Sequence, residues 1–234
     1  MDIKELKITL ILKEDVPFKN IGQRIGAYLH RAMLADSQLK KEHRVNKVKH
    51  YVYSHLYPTE SDGVYKSGTG YTFRIRSARE GFLNRMAELL TDFQDELIVT
   101  LGIEESRVPN GTVNAVRTLT PFVITLGKPG SKYWKAYDAK EDIKKLLTNN
   151  VSNRFKQFIG AKEVNHDFIK EVKILNNKPT YYNYKGRKVL ANKVEVYFND
   201  DLFSKQIRDY VVSAGLGEKS SVLGAGFSET IRRA

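Results

Sequence analysis

The sequence predicts an α+β protein built from two βαββαβ units in tandem, and three observations predict it. Short runs in which apolar and polar residues alternate recur in both halves. Segments whose apolar residues return every three or four positions stand between them, and the order of the two patterns is the same twice over. At 234 residues, 41% of them hydrophobic, the chain has enough apolar material for two cores.

The opening IKELKITLILK reads as a strand with Leu6, Ile8, Leu10 and Leu12 on one face. From Phe18 to about Ala35, after Pro17, the positions Ile21, Ile25, Leu29, Ala32 and Met33 mark an amphipathic helix. VKHYVYSHLYP and YTFRIRS follow as strands, the first closed by Pro58. AREGFLNRMAELLTDFQDEL is a second helix, with Phe82, Leu83, Met86, Leu89 and Leu90 inward. GTVNAVRTLTPFVITL carries the next strand and passes into a second unit at Pro121.

That unit repeats the order. PFVITL is a strand, and DAKEDIKKLLTNNVSNRFKQFIG is a helix with Ile143, Leu146, Leu147, Val151, Phe155 and Phe158 at helical spacing, ended by Gly160. EVKILNN, PTYYNY and KVLANKVEVYFN are strands. DDLFSKQIRDYVVSAG is the last helix, capped by Asp200 or Asp201 and ending at Gly215, before a short strand near GFSETI. The expected organisation is two tandem ferredoxin-like (RRM-like) domains, 1–118 and 119–234.

Lys and Arg number 39 against 27 Asp and Glu, a net of 39 − 27 = +12. That excess favours a polyanionic partner. The basic residues gather beside tyrosines in HRAMLADSQLKKEHRVNKVKH and YYNYKGRKVLANK, and the chain closes on Arg232 and Arg233. Aromatic faces among cations suit unstacked RNA bases better than a smooth anionic membrane. Arg74 and Arg76, on one face of their strand, are further candidate contacts. The absence of cysteine excludes disulfides and thiolate metal sites. No apolar run approaches the roughly 20 residues of a membrane span, and MDIKELKITLILKED has no signal-peptide pattern, so a cytoplasmic protein is expected.

Four glycines, Gly215, Gly217, Gly224 and Gly226, fall close together around Lys219. A Walker A loop would need glycine where Glu218 and Ser213 stand, and a dinucleotide fingerprint would need glycine or alanine at Ser220. Both readings fail. A helix end running into exposed amides beside Lys219 remains, since a helix cap and a turn account for Gly215 and Gly224 only. His30, His43, His50 and His55 also cluster, with no cysteine and no H-E-x-x-H spacing to Asp36 or Glu42, so no metal site and no cofactor is expected. Metal-independent chemistry on RNA needs a base for a 2′-hydroxyl, an acid for the leaving 5′-oxygen and a cation, roles that His, Tyr and Lys can fill.

The stretch YLHRAMLADSQLKKEHRVNKVKHYVYSHLYP, the strand before it and the terminal GLGEKSSVLGAGF resemble the CRISPR-associated endoribonucleases that cut precursor CRISPR RNA within its repeats, the Cas family numbered six of the RAMP superfamily. In that family the glycine loop has the form G-h-G-x5-G-h-G, with h apolar. Here Gly215-Leu216-Gly217, Gly224-Ala225-Gly226 and Phe227 take those places. The resemblance implies a catalytic trio of Tyr28, His43 and Lys49, with His30 as the rival base. It implies internal transesterification giving a 2′,3′-cyclic phosphate and a 5′-hydroxyl. It also implies RNA contacts by the four glycines and Lys219, and by Lys185, Arg187 and Lys188 of a basic hairpin. The implied partners are CRISPR repeat RNA and a CRISPR interference complex, with the protein a monomer or weak homodimer. The alternatives are a catalytically inactive repeat-RNA-binding relative or complex subunit, and a general two-RRM protein, for which no aromatic RNP motif is present.

Overall fold

The computed structural model describes residues 3–109, 111–127, 132–135, 142–164 and 166–232, without the side chain of His43. Arg233 and the start of the expected helix ahead of residue 142 lie outside them.

The first half contains β1 (Lys4–Leu12), β2 (Val16–Pro17), α1 (Phe18–Met33), α2 (Ser37–Arg44), β3 (Tyr51–Tyr53), β4 (Val64–Tyr65), β5 (Gly70–Ser77), α3 (Phe82–Leu90) and β6 (Ile98–Arg107). The second contains β7 (Ala115–Thr118), α4 (Ile143–Ile159), β8 (Ile169–Ile174), β9 (Thr180–Tyr184), β10 (Arg187–Ala191), β11 (Val194–Phe198), α5 (Leu202–Ala214), α6 (Ser220–Leu223) and β12 (Ser228–Thr230). Each half forms one four-stranded antiparallel sheet, β3-β5-β1-β6 and β12-β7-β11-β8. Numbered by their order within each βαββαβ unit, both sheets run 4-1-3-2 across. This is the ferredoxin-like fold, present twice.

Alternation builds the first core. Leu6, Ile8, Leu10 and Leu12 of β1 pack under Ile21, Ile25, Leu29 and Ala32 of α1, with Phe73 and Ile75 of β5 beside them. In the second core Val116, Val196 and Phe198 meet Leu147, Val151 and Phe155 of α4 and Ile207 and Val211 of α5. The Asp201 side chain caps α5 by accepting from the Ser204 amide, and Gly160, in the left-handed region, ends α4.

Four features differ from the sequence expectation. The fourth strand of the first sheet is β6, an edge strand with only Ile98 and Thr100 buried, so it lacks the alternation that marks a half-buried strand. The first strand of the second sheet is β7, paired with β11 and β12. The chain therefore changes sheet between Arg107 and Ala115, ahead of the expected division after residue 118. The third difference is α2, whose single buried apolar residue, Leu39, leaves no apolar stripe to read. The segment KVLANKVEVYFN is divided between β10, which pairs with β9 in a separate hairpin, and β11.

Candidate nucleic-acid interface and catalytic residues

Residues four apart share a helix face, so Gly22, Gly26 and His30 form one row along α1. The row faces α6, the single turn inside the glycine-rich segment. A Cβ at Gly22 would run into the Leu223 carbonyl and His55, and one at Gly26 would lie 2.6 Å from both the Val222 carbonyl oxygen and the Tyr53 hydroxyl. The missing side chains let α6 seat its carbonyls on the first half. His55 Nε2 donates to the Leu223 carbonyl at 3.0 Å, and Tyr51 Oη donates to the Ser221 carbonyl at 3.1 Å. Tyr51 Oη also lies 3.2 Å from Nε2 of the half-buried His30. Burial pushes the His55 imidazole down to about 4, so the ring is neutral at pH 7.

All four glycines of the segment have left-handed φ, between +63° and +83°, and all four are buried. The sequence expectation of exposed amides at Gly215, Gly217, Gly224 and Gly226 therefore does not describe them. A Cβ at Gly215 would meet Val52 and Ser220, at Gly217 the Val123 carbonyl, at Gly224 Tyr53 and at Gly226 the Leu216 carbonyl. Each glycine is a close backbone approach within the protein. The spacer from Glu218 to Leu223 holds six residues, one more than the five of the family form, and includes α6. Arg154, buried on α4, fixes this backbone: Nη1 donates to the Gly215 and Gly217 carbonyls and Nη2 to the Ala214 carbonyl, each at 2.6 Å. Nη2 also reaches Ser220 Oγ at 3.4 Å. A cation suits the carbonyl end of α5.

Lys219 is only half-buried and stands 5.3 Å from the Tyr184 ring centroid. Lys185, Arg187 and Lys188 are exposed on the β9–β10 hairpin, whose turn has φ of 48° at Lys185 and 73° at Gly186. The hairpin docks on α1. Lys19 Nζ donates to Tyr181 Oη at 2.8 Å, Asn183 Nδ2 to Asn20 Oδ1 at 2.6 Å and the Lys185 amide to Gln23 Oε1 at 3.1 Å. Lys19, Lys185, Lys188 and Lys219 thus line one ridge around Tyr181 and Tyr184. Arg76, read from sequence as a surface candidate, is instead buried. It donates to Glu5 Oε2 at 2.7 Å and to the Ser228 carbonyl at 2.5 Å, and its guanidinium lies 4.1 Å from the Phe227 ring centroid.

The expected trio is divided. Tyr28 is fully buried, donating to the Phe93 carbonyl at 3.0 Å and sharing a hydrogen bond of 2.5 Å with Thr100 Oγ1 of β6. Burial pushes its phenol up to about 12. Lys49 lies just before β3, at the opposite edge of the sheet from β6. The structure does not bring Tyr28 and Lys49 together, because Tyr28 belongs to the buried stripe of α1 with Ile25, Leu29 and Ala32. Lys49 Nζ donates to the carbonyls of Glu42 and, at 2.6 Å, Val45, closing the last turn of α2, the turn that carries His43. Burial lowers its ammonium below the ordinary lysine range. Among the described residues no three His, Asp or Glu side chains gather as metal ligands, and no helix is long and apolar enough to cross a membrane.

Sequence reasoning missed Arg154 and Tyr51. Arg154 interrupts the stripe Leu147, Val151, Phe155, Phe158 at a position that should be apolar, and that was the available signal. Tyr51, one of two tyrosines on the three-residue β3, carried none.

No curated protein matches the chain by sequence. Solved structures match in fold. A RAMP protein described as binding different RNA substrates is 17% identical at a TM-score of 0.77, over 97% of this chain and 99% of that one. A Cas6-related protein from Pyrococcus furiosus is 17% identical at 0.76, over 98% of both chains. A Cas6 product complex is 14% identical at 0.64, over 97% of this chain and 99% of that one. The model of the family described as CRISPR associated protein Cas6, C-terminal, matches residues 104–230. That match takes in more than half of the chain, from the end of β6 through the buried glycine turn to β12, and with it the chain belongs to the Cas6 family.

Proposed function

We propose that this protein binds CRISPR repeat RNA and cuts precursor CRISPR RNA as a metal-independent endoribonuclease. Membership of the family supports the substrate, as do the similar folds described as Cas6 product and substrate-mimic complexes. The observation that carries the site is the meeting of the two halves at His30, where α1, Tyr51 and the Ser221 carbonyl converge. In the reaction a 2′-hydroxyl loses its proton to a base, its oxygen attacks the adjacent phosphorus, and the bond from phosphorus to the 5′-oxygen breaks as an acid protonates that oxygen. The products are a 2′,3′-cyclic phosphate and a 5′-hydroxyl. His30 and His43 share the acid and base roles, and Lys49 stabilises the phosphorane charge. Tyr28 is assigned to the core. Lys185, Arg187, Lys188 and Lys219 hold the phosphate backbone, and the four glycines shape the turn that presents Lys219.

The test is incubation with repeat RNA in excess EDTA, beside RNA carrying one 2′-deoxy at the cleavage position and beside His30→Ala and His43→Ala. Cutting that survives EDTA, stops with the deoxy substitution and falls about 10²–10⁴-fold in each variant is expected. A second reading, a catalytically inactive repeat-RNA-binding relative or complex subunit, is favoured by the engagement of Lys49 with α2 carbonyls. Binding without cutting would establish it.

A further inference from the structure

Two cations meet the last turn of α2 in different ways. Lys49 gives its ammonium hydrogens to the backbone carbonyls of Glu42 and Val45, whereas Arg79 Nη2 donates to the Glu42 side chain, Oε2, at 2.5 Å. Glu42 is the residue before His43. Among the described residues the contact with Glu42 is the one hydrogen bond the Arg79 guanidinium makes, and a guanidinium carries five N–H donors in a planar fork. Most of its donors are therefore unspent beside the proposed site.

The arginine is held in place and still reachable. Its guanidinium carbon lies 5.4 Å from the Phe82 ring centroid. Its amide donates to Ser77 Oγ at 3.0 Å, and that hydroxyl donates to the His50 carbonyl at 3.1 Å. The side chain keeps 28% of its surface exposed. It lines one small cavity with Lys49 and Tyr51, and also a larger one of about 450 Å³ bounded by Ser77, Asn84 and Ser213 of α5, a volume in the range of ligand sites. Its charge reaches the groups around it: burial lowers Lys49 and His50, and Arg79 adds to the effect at both. At Tyr51, where burial raises the phenol, Arg79 offsets part of the rise.

We propose that Arg79 is a further catalytic residue, donating from its uncommitted N–H groups to the non-bridging oxygens of the phosphate that is cut. The proposal rests on the nuclease reading. It answers the difficulty that the Lys49 ammonium is engaged with backbone oxygens, because a guanidinium fork matches paired phosphate oxygens and meets the phosphorane charge without giving up its anchor. Glu42 is that anchor, and it fixes Arg79 to the turn that carries His43.

Single-turnover cleavage of repeat RNA at saturating protein tests this, with affinity measured separately on RNA carrying a 2′-deoxy at the cleavage position and melting curves to keep loss of fold apart from loss of chemistry. Arg79→Gln is expected to slow cleavage of bound RNA by about 10²–10³-fold. Arg79→Lys, which keeps the charge and loses the fork, should recover part of that loss. Glu42→Gln, which removes the ion pair and leaves the guanidinium, should cost a smaller factor than Arg79→Gln. In the deoxy RNA a methylphosphonate at the cleaved linkage removes the charge that Arg79 meets, so it should weaken binding to the wild-type protein more than to Arg79→Gln. An unchanged rate in Arg79→Gln, a loss in Glu42→Gln as large as in Arg79→Gln, or equal weakening of both proteins by the methylphosphonate overturns the proposal. Wild-type protein that binds RNA without cutting it would defeat the nuclease reading and the catalytic role with it. Methylphosphonates placed at each linkage in turn would then decide the contact itself, and the absence of any linkage coupled to Arg79 would overturn that too.

Discussion

Arg154 and Gly215 meet where α5 gives way to the glycine turn, Nη1 of the arginine 2.6 Å from the glycine carbonyl oxygen, and the same nitrogen serves Gly217 equally closely. Replacing Arg154 with Met keeps much of the apolar stem but leaves buried carbonyls unpaired, at about 1–3 kcal/mol each. Chemical denaturation should show a loss of roughly 3 kcal/mol or more, and a loss below 1 kcal/mol would show that water or a rearranged backbone replaces the guanidinium.

The two αL positions Gly224 and Gly186 should respond differently to a side chain. Gly224, at φ +63°, abuts Tyr53, whereas Gly186, at φ +73° in the hairpin turn, has open space around its missing Cβ. Gly224→Ala combines left-handed strain of about 1–2 kcal/mol with overpacking of about 1–3 kcal/mol. Gly186→Asn should change stability by less than about 1 kcal/mol, because asparagine tolerates this region. Equal losses in the two melting curves would contradict the packing role of the glycine turn.

Acid should weaken the fold through two histidines. His50 and His55 are each pushed down to about 4, chiefly by burial, with Arg154 and Arg79 adding to the effect at His50. The folded values lie below the unfolded value of 6.5, so between them the unfolded chain binds more protons. The stability of the neutral rings is therefore complete above about pH 6.5 and is lost as pH falls toward 4, on the order of 2–3 kcal/mol per histidine. In His55→Gln, which can still donate to the Leu223 carbonyl, melting temperature should fall less steeply over that window. A slope equal to that of the wild type would remove His55 from the account.

Under the proposed function, Tyr28 serves packing and His30 the chemistry on a single helix. Tyr28→Phe removes a buried hydroxyl from Phe93 and Thr100 and should cost about 1–2 kcal/mol, leaving cleavage per folded molecule unchanged. A fall of orders of magnitude in single-turnover rate would return Tyr28 to the catalytic group.

The ridge around the β9–β10 hairpin should reveal itself in salt. Each of Lys185, Arg187, Lys188 and Lys219 that touches a phosphate contributes about 0.7 to the slope of log affinity against log salt on single-stranded RNA. Alanine at each position, measured by filter binding at several salt concentrations, should flatten the slope by that amount without changing the cleavage position. An unchanged slope would assign that residue to solvent.

Much of the fold was legible because β1, α1, α3, α4 and α5 each bury one continuous face, and a buried face imposes its period on the sequence. The edge strand β6 and the short α2 bury too little to do so. In the site, the glycine cluster stood out, but what each glycine faces is a long-range fact: Tyr53 and Val123 lie far away in the chain from Gly224 and Gly217. The burial of Tyr28 was within reach. Two helical positions differ by about 200° in direction, and the apolar neighbours of Tyr28 already claimed its side for the core.

Gly22 and Gly26 on α1 have a consequence for how the protein can change. Where a helix accepts the carbonyls of another segment directly against its backbone, no side chain stands between them to be exchanged for one slightly larger or smaller. At this contact the two halves have no adjustable part, and a substitution on either side has to be matched by backbone movement on the other. Two folds that could each form a core alone are thereby bound to a common fate at the place where His30 and the Ser221 carbonyl share a tyrosine.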